Sequence, residues 1–181
     1  TLVDAWYGAG GIAWSPDSRY LAYNRSDLNF NEEIYIQSVD GSSDPVNISM
    51  HPGNDYGATW SKDGSKLAFI SDRNNDDADV WFVWLKREDW LKSEEEREEG
   101  YYFDEDSKAD EEATEAEESE EIQIDFKNIH DRLQQVTYYS GSESQVLVSA
   151  DGETFYFTRQ TAGSRGSDLF KIKFDGSDLS Q

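Results

Sequence analysis

Apolar and polar positions alternate in short runs along most of this chain, and the runs recur. Tyr20-Leu21-Ala22-Tyr23, Lys66-Leu67-Ala68-Phe69 and Thr154-Phe155-Tyr156-Phe157 each place Leu or Phe, then Tyr or Phe, on one side of an extended segment. That period of two marks a strand. Each run follows a Ser with an Asp two residues on: Trp14-Ser15-Pro16-Asp17-Ser18, Trp60-Ser61-Lys62-Asp63-Gly64 and Val148-Ser149-Ala150-Asp151-Gly152. Pro pre-sets φ, Asp bonds nearby amides and Gly accepts positive φ, so each anchor reads as a tight hairpin turn.

A polar loop follows each run, and then a second strand opens on an acid: Glu33-Ile34-Tyr35-Ile36, Asp79-Val80-Trp81-Phe82 and Asp168-Leu169-Phe170-Lys171. From Asp17 to Glu33, Asp63 to Asp79 and Asp151 to Asp168 the intervals are 16, 16 and 17 residues. Copies one and three share the ending Val39-Asp40-Gly41-Ser42 and Phe174-Asp175-Gly176-Ser177, and Asp-Gly between strands signals a hairpin. A fourth strand, Val46-Asn47-Ile48-Ser49, is matched by Gln134-Gln135-Val136-Thr137, and each reaches the next anchor Ser after 12 residues, with Gly53 and Gly141 in register.

Four short antiparallel strands in a repeat of roughly 40–50 residues are the signature of a β-propeller blade. The expected fold is all-β: a partial propeller of about three four-stranded blades within 1–181, at about 11–49, 57–137 and 145–181. Its structural repeat residues are Trp14, Ser15, Asp17, Glu33, Trp60, Ser61, Asp63, Gly64, Asp79, Ser149, Asp151, Gly152 and Asp168. Trp14 and Trp60 are expected in the core, and Trp81 and Trp84 on opposite faces of one strand.

The second copy is 42 residues longer than the first between anchor Ser and strand-end hydroxyl, Ser61 to Thr137 against Ser15 to Ser49. Most of the excess falls in an insertion, 86–124, that takes the place of a hairpin turn at the edge of the blade, where added length costs little. Its middle, Glu94 to Glu121, holds 16 acids against Arg97 and Lys108, and so carries −14 of the total charge of −23. Such a block buries too little apolar surface to order itself and is expected to be mobile. Aromatic clusters at Trp90 and at Tyr101-Tyr102-Phe103 are candidates to dock its ends, with a helical turn near Trp90.

Aromatic residues make up 14% of the chain, in keeping with strands. The charge of −23 disfavours a nucleic-acid backbone or an anionic membrane as partner. With no Cys there is neither a disulfide framework nor a thiolate metal site. The opening Thr1-Leu2-Val3-Asp4 is neither a signal peptide nor an initiator Met, and a piece of a longer protein is expected.

Trp14-Ser15-Pro16-Asp17, Trp60 to Phe69 and Ser71-Asp72-Arg73 resemble the propeller repeats shared by TolB translocation proteins and tricorn-type serine peptidases. The insertion, closed by Ile124-Asp125-Phe126-Lys127-Asn128-Ile129-His130-Asp131-Arg132-Leu133, is similar to one inside a blade of bacterial tricorn-like peptidases. The resemblance implies a non-catalytic recognition or gating module upstream of a serine-peptidase domain, or else a TolB-like scaffold. It also implies a periplasmic or cell-envelope setting and a peptide or protein ligand. Copy three departs with Val148-Ser149-Ala150, and nothing here resembles the catalytic domain.

No catalytic, cofactor or metal residue is expected. A triad needs a base beside a nucleophile, and His51 and His130 both lack that setting. The run Asp72-Arg73-Asn74-Asn75-Asp76-Asp77-Ala78-Asp79 begins like a calcium loop, but Asp77 and Val83 stand where an EF-hand needs Gly and Glu. Glu33, Asp79 and Asp168 read instead as structural acids accepting loop amides. A propeller enzyme, glycosidase or lyase, is the weakest reading. Because propellers close with about four to eight blades, the rest of a parent chain or a second copy is expected to complete the ring.

Overall fold

The computed structural model describes residues 8–74, 77–99, 121–160 and 166–181, without the side chains of 94–99. Among these residues the strands form three antiparallel sheets, ordered along the chain. The first contains β1 (Gly10–Trp14), β2 (Tyr20–Ser26), β3 (Glu32–Ser38) and β4 (Val46–Asn47). The second contains β5 (Asp55–Trp60), β6 (Lys66–Asn74), β7 (Asp77–Trp84) and β8 (Leu133–Gln135). The third contains β9 (Glu143–Val148), β10 (Thr154–Arg159) and β11 (Asp168–Lys173). Each sheet pairs strands in simple succession, as short turns dictate.

The alternation of side chains places two cores, one on each face of the second sheet. Leu67, Phe69 and Val83 meet Ala22, Ile34, Ile36 and Ile48 of the first sheet. Ala68, Ile70, Val80 and Phe82 meet Phe155, Phe157, Phe170 and Ile172 of the third. Both faces of β6 and β7 are therefore apolar, which explains why their sequences read as nearly continuous hydrophobic runs. Phe82 sits at the centre of the second core, with ring centroids 5.3 Å from Phe155 and 5.5 Å from Trp84. Trp81 packs into the first core and Trp84 into the second.

Trp60 is buried, its indole Nε1 donating to the Ala13 carbonyl of the first sheet at 3.1 Å. Trp14, its counterpart, is not in the core as its position in the repeat suggests: it is 57% exposed. No described sheet packs on that side of β1. The third sheet has three strands, but Ser180 bridges to Lys171 by reciprocal backbone hydrogen bonds of 2.8 and 2.9 Å, a first rung of a fourth.

The insertion begins with more than a helical turn. Helix α1 runs through Arg87–Glu99, 13 residues, into the acidic block. Glu and Lys are good helix formers, and Glu88 and Asp89 in the first turn complement the helix dipole. The expected mobility of the block beyond it and the docking of Tyr101-Tyr102-Phe103 fall outside the described residues.

Candidate functional site

The anchor turns share one construction. The hydroxyls of Ser15, Ser61 and Ser149 accept the amides of Tyr20, Lys66 and Thr154 at 2.8–2.9 Å. The carboxylates of Asp17, Asp63 and Asp151 accept the amide two residues on at 3.0–3.1 Å. The next position is left-handed in all three turns: φ is 61° at Ser18, 69° at Gly64 and 75° at Gly152. Ser18 is thus not a site of ordinary backbone, contrary to what its side chain suggests. What separates Gly64 is space, because a Cβ there would lie 2.7 Å from the Ile122 side chain. Gly64→Val is accordingly expected to lower the unfolding midpoint well beyond Ser18→Val, which bears the φ strain alone. Equal midpoints in urea would contradict this packing.

A second repeated construction lies where one sheet hands over to the next. In the first junction, the buried Glu33 carboxylate accepts the Ser49 hydroxyl at 2.5 Å and the His51 amide at 3.2 Å, while Ser49 Oγ accepts the Ile34 amide at 3.0 Å. Asp55 follows at the head of β5 and is bound by Arg73 at 2.9 Å. In the second junction Thr137 Oγ1 accepts the Val80 amide at 2.9 Å and lies 3.3 Å from Asp79 and 3.0 Å from Glu143, at the head of β9. Asp79 is held by side chains, Thr137 and Gln135 Nε2 at 2.9 Å, rather than by the loop amides anticipated.

One hydroxyl proton cannot serve two carboxylates. The Asp79–Glu143 pair therefore favours holding a proton of its own, and burial pushes the Glu143 carboxyl up to about 7. Arg159 Nε approaches Glu143 Oε1 at 3.4 Å but is misaligned for a hydrogen bond, so it offsets burial only in part. Burial also raises Glu33 and Asp79 above the usual carboxylate range. Asp168, the third repeated acid, is half-buried at the start of β11.

The insertion returns through a clip centred on Arg132, which is 2% exposed. Its guanidinium donates to the carbonyls of Trp84 (2.9 Å), Leu85 (3.2 Å), Lys127 (3.4 Å) and Asp125. Beside it the Asp125 amide donates to the Leu85 carbonyl at 2.9 Å, and Asp125 Oδ2 accepts the Arg87 amide at 2.9 Å. Ile122 is buried against the turn at Gly64, and its amide donates to Asp17 Oδ2 at 2.9 Å. Sequence reasoning named Arg132 only as part of a motif.

The two histidines are placed apart. His51 Nδ1 accepts the Gly53 amide at 3.0 Å within the connection from β4 to β5. The exposed His130 lies 3.5 Å from Asp131 in the 3-10 turn Ile129–Arg132 before β8. Asp72 binds the Asn54 backbone and side-chain amides while Asp79 faces Thr137, and among the described residues no three metal-ligating side chains converge. The innermost strands β1, β5 and β9 stand side by side. Each is bulged at one equivalent left-handed residue, Gly11, Gly57 and Gln145. Beside them runs a groove of about 530 Å³ lined by Ile12, Ala58, Val146, Leu147, Tyr156 and Leu169.

No protein-family model matches the sequence, and no curated protein matches it. Solved structures do match in shape. A protein assigned as TolB from Agrobacterium tumefaciens superposes with a TM-score of 0.64 at 14% identity, over 99% of this chain and 50% of its own. The tricorn protease gives a TM-score of 0.66 at 10% identity, over 99% of this chain and 19% of its own. TolB from Acinetobacter baumannii gives 0.59 at 16%, over 94% and 31%. The three sheets are β-propeller blades. The chain spans at most half the length of these propeller-containing proteins. Strands β1, β5 and β9 are the first strands of successive blades, and the acid junctions lie at the seams between those blades. No described helix is long and apolar enough to cross a membrane.

Proposed function

We propose that this chain is a non-catalytic recognition or gating module, a run of blades from the propeller of a larger tricorn-like peptidase, binding peptides or protein. A periplasmic or cell-envelope location accords with that reading. The observation that carries it is the difference between equivalent positions. Ala58 and Trp60 are buried against the preceding blade, whereas Ile12 and Trp14 are 61% and 57% exposed. On the far side Leu147 and Leu169 are 62% and 61% exposed, whereas Val80, the counterpart of Leu169, is fully buried against the next blade. Leu21 and Tyr23, farther out on the leading face, are covered. Faces of this kind fit further blades, supplied by a parent chain or by a second copy in a six-bladed ring. A TolB-like scaffold without a peptidase domain is the alternative, favoured by the equally good superposition on TolB.

Light scattering and small-angle scattering on the purified chain test this. A dimer with a central channel, or a monomer prone to association through its bare faces, is expected. A compact, stable monomer with protected edge amides refutes it, as does turnover of a fluorogenic peptide that survives repurification. A peptidase domain in the flanking coding sequence separates the tricorn-like reading from the scaffold.

A further inference from the structure

Blade faces repeat along the chain as the strands do, and the third blade breaks the pattern on one of them. Cross-strand partners point to the same side of a sheet, so the register defines a row on the face that each blade turns to the next. In the first blade the row is Ala13, Ala22 and Ile36, and in the second it is Thr59, Ala68 and Phe82. In the third it is Leu147, Tyr156 and Lys171. Two small residues and a large apolar one are replaced by two large residues and a cation.

The first two rows show how the position is used once a blade packs on it. Ala22, Ile36, Ala68 and Phe82 are all 0% exposed. Ala22 and Ile36 share a core with Leu67 and Phe69 of the next blade, and Ala68 and Phe82 share one with Phe155 and Phe157. The Phe82 ring lies 5.3 Å from Phe155 and 6.3 Å from Phe174. An Ala at the middle of the row leaves room for such bulky partners at the density of a protein interior.

The third row does not admit the same cover. Tyr156 occupies the place of Ala22 and Ala68, and it lines one groove with Leu147, Thr158 and Leu169. Its cross-strand neighbour on the other side is the exposed Lys171. Lys173 takes Asp178 at 2.7 Å, whereas Lys171 has no ion pair among the described residues. An apolar blade closing over that ammonium would strand a buried charge. The first blade of a second copy would do so, because Leu21 and Val39 stand at its places for Phe155 and Phe174.

We infer that this face rejects a second copy of the chain and takes a blade of different sequence, with a carboxylate opposite Lys171 and a small side chain opposite Tyr156. The inference rests on the reading of the chain as a run of blades and selects between the two partners named there.

Sedimentation velocity of the full chain tests it. Tyr156→Ala/Lys171→Ile restores the row of the first blade and should self-associate at least about tenfold more tightly than the parent. Tyr156→Ala/Val39→Glu keeps Lys171 and gives a second copy the missing carboxylate. It should also associate more tightly than the parent, through an attraction that added salt weakens and that Lys171→Glu abolishes. Tyr156 and Lys171 are exposed, so the first variant should fold as the parent does, which circular dichroism checks. A parent dimer that Leu169→Asp breaks, or variants that associate no better than the parent, overturns the inference. Edge-strand amides protected throughout a parent monomer sink the run-of-blades reading instead.

Discussion

Arg132→Met is expected to lower the thermal midpoint by about 10 °C. The guanidinium is the shared donor for carbonyls on both sides of the insertion, Trp84 and Leu85 where the chain leaves, Asp125 and Lys127 where it returns. A thioether keeps the volume but donates nothing, so buried carbonyls lose their partners at roughly 1–3 kcal/mol each. Allowing for partial relaxation, a loss of about 3–5 kcal/mol is expected, and in a protein of this size each kcal/mol moves the midpoint by roughly 2–4 °C. Arg132→Lys should recover only part, because an ammonium cannot span a planar fan of acceptors. A melt followed by circular dichroism decides the matter, and a shift for Arg132→Met of no more than about 2 °C would show that the clip contributes nothing.

The second large effect is one of pH. Burial pushes the Glu143 carboxyl, beside Asp79, up to about 7 in the folded chain, against roughly 4.3 for a free Glu. A carboxyl raised in this way contributes fully below its unfolded value, and its contribution declines as pH rises through the folded one. Stability is therefore expected to fall between about pH 4 and pH 7 as the seam between the second and third blades gains a second negative charge. Glu143→Gln keeps a group that can bond Thr137 and removes the titration. Arg159 retains the Ser140 carbonyl at 2.7 Å. The variant should match the parent at pH 4 and exceed it at pH 8 by on the order of 3 kcal/mol. Chemical denaturation at the two pH values measures this. An undiminished pH slope in Glu143→Gln would place the titrating group elsewhere, with Glu33, also raised by burial, the next to replace.

What could be read from the sequence was whatever repeats locally. Ser15, Asp17 and their counterparts close their turns by hydrogen bonds spanning two to five residues, so spacing alone exposed them. The alternation in β2, β6 and β10 likewise fixed which side chains share a face. Partners across a seam left a fainter trace. Asp55 and Glu143 each follow the strand-end hydroxyl by six residues, in register with the repeat, and that interval is the signal that would have found them. Arg132 gave none, because its acceptors are backbone carbonyls up to 48 residues away. Trp14 shows the opposite failure. The repeat told which face it belongs to, but burial depends on what packs there. The left-handed backbone at Phe30 and Met50, with φ of 68° and 44°, is invisible in residue types that ordinarily avoid it.

The insertion leaves and returns at a single point. Leu85 and Asp125 are one hydrogen bond apart, and Arg87 is tied to the same carboxylate. To the blade, the excursion is therefore a closed appendix whose contents do not alter the distance its ends must span. This makes the site a splice point: a folded reporter with adjacent termini, grafted between α1 and Ile122, would hang from the Arg132 clip without pulling on β7 or β8. The same geometry gives evolution a place to lengthen, charge or replace a segment at little risk to the fold.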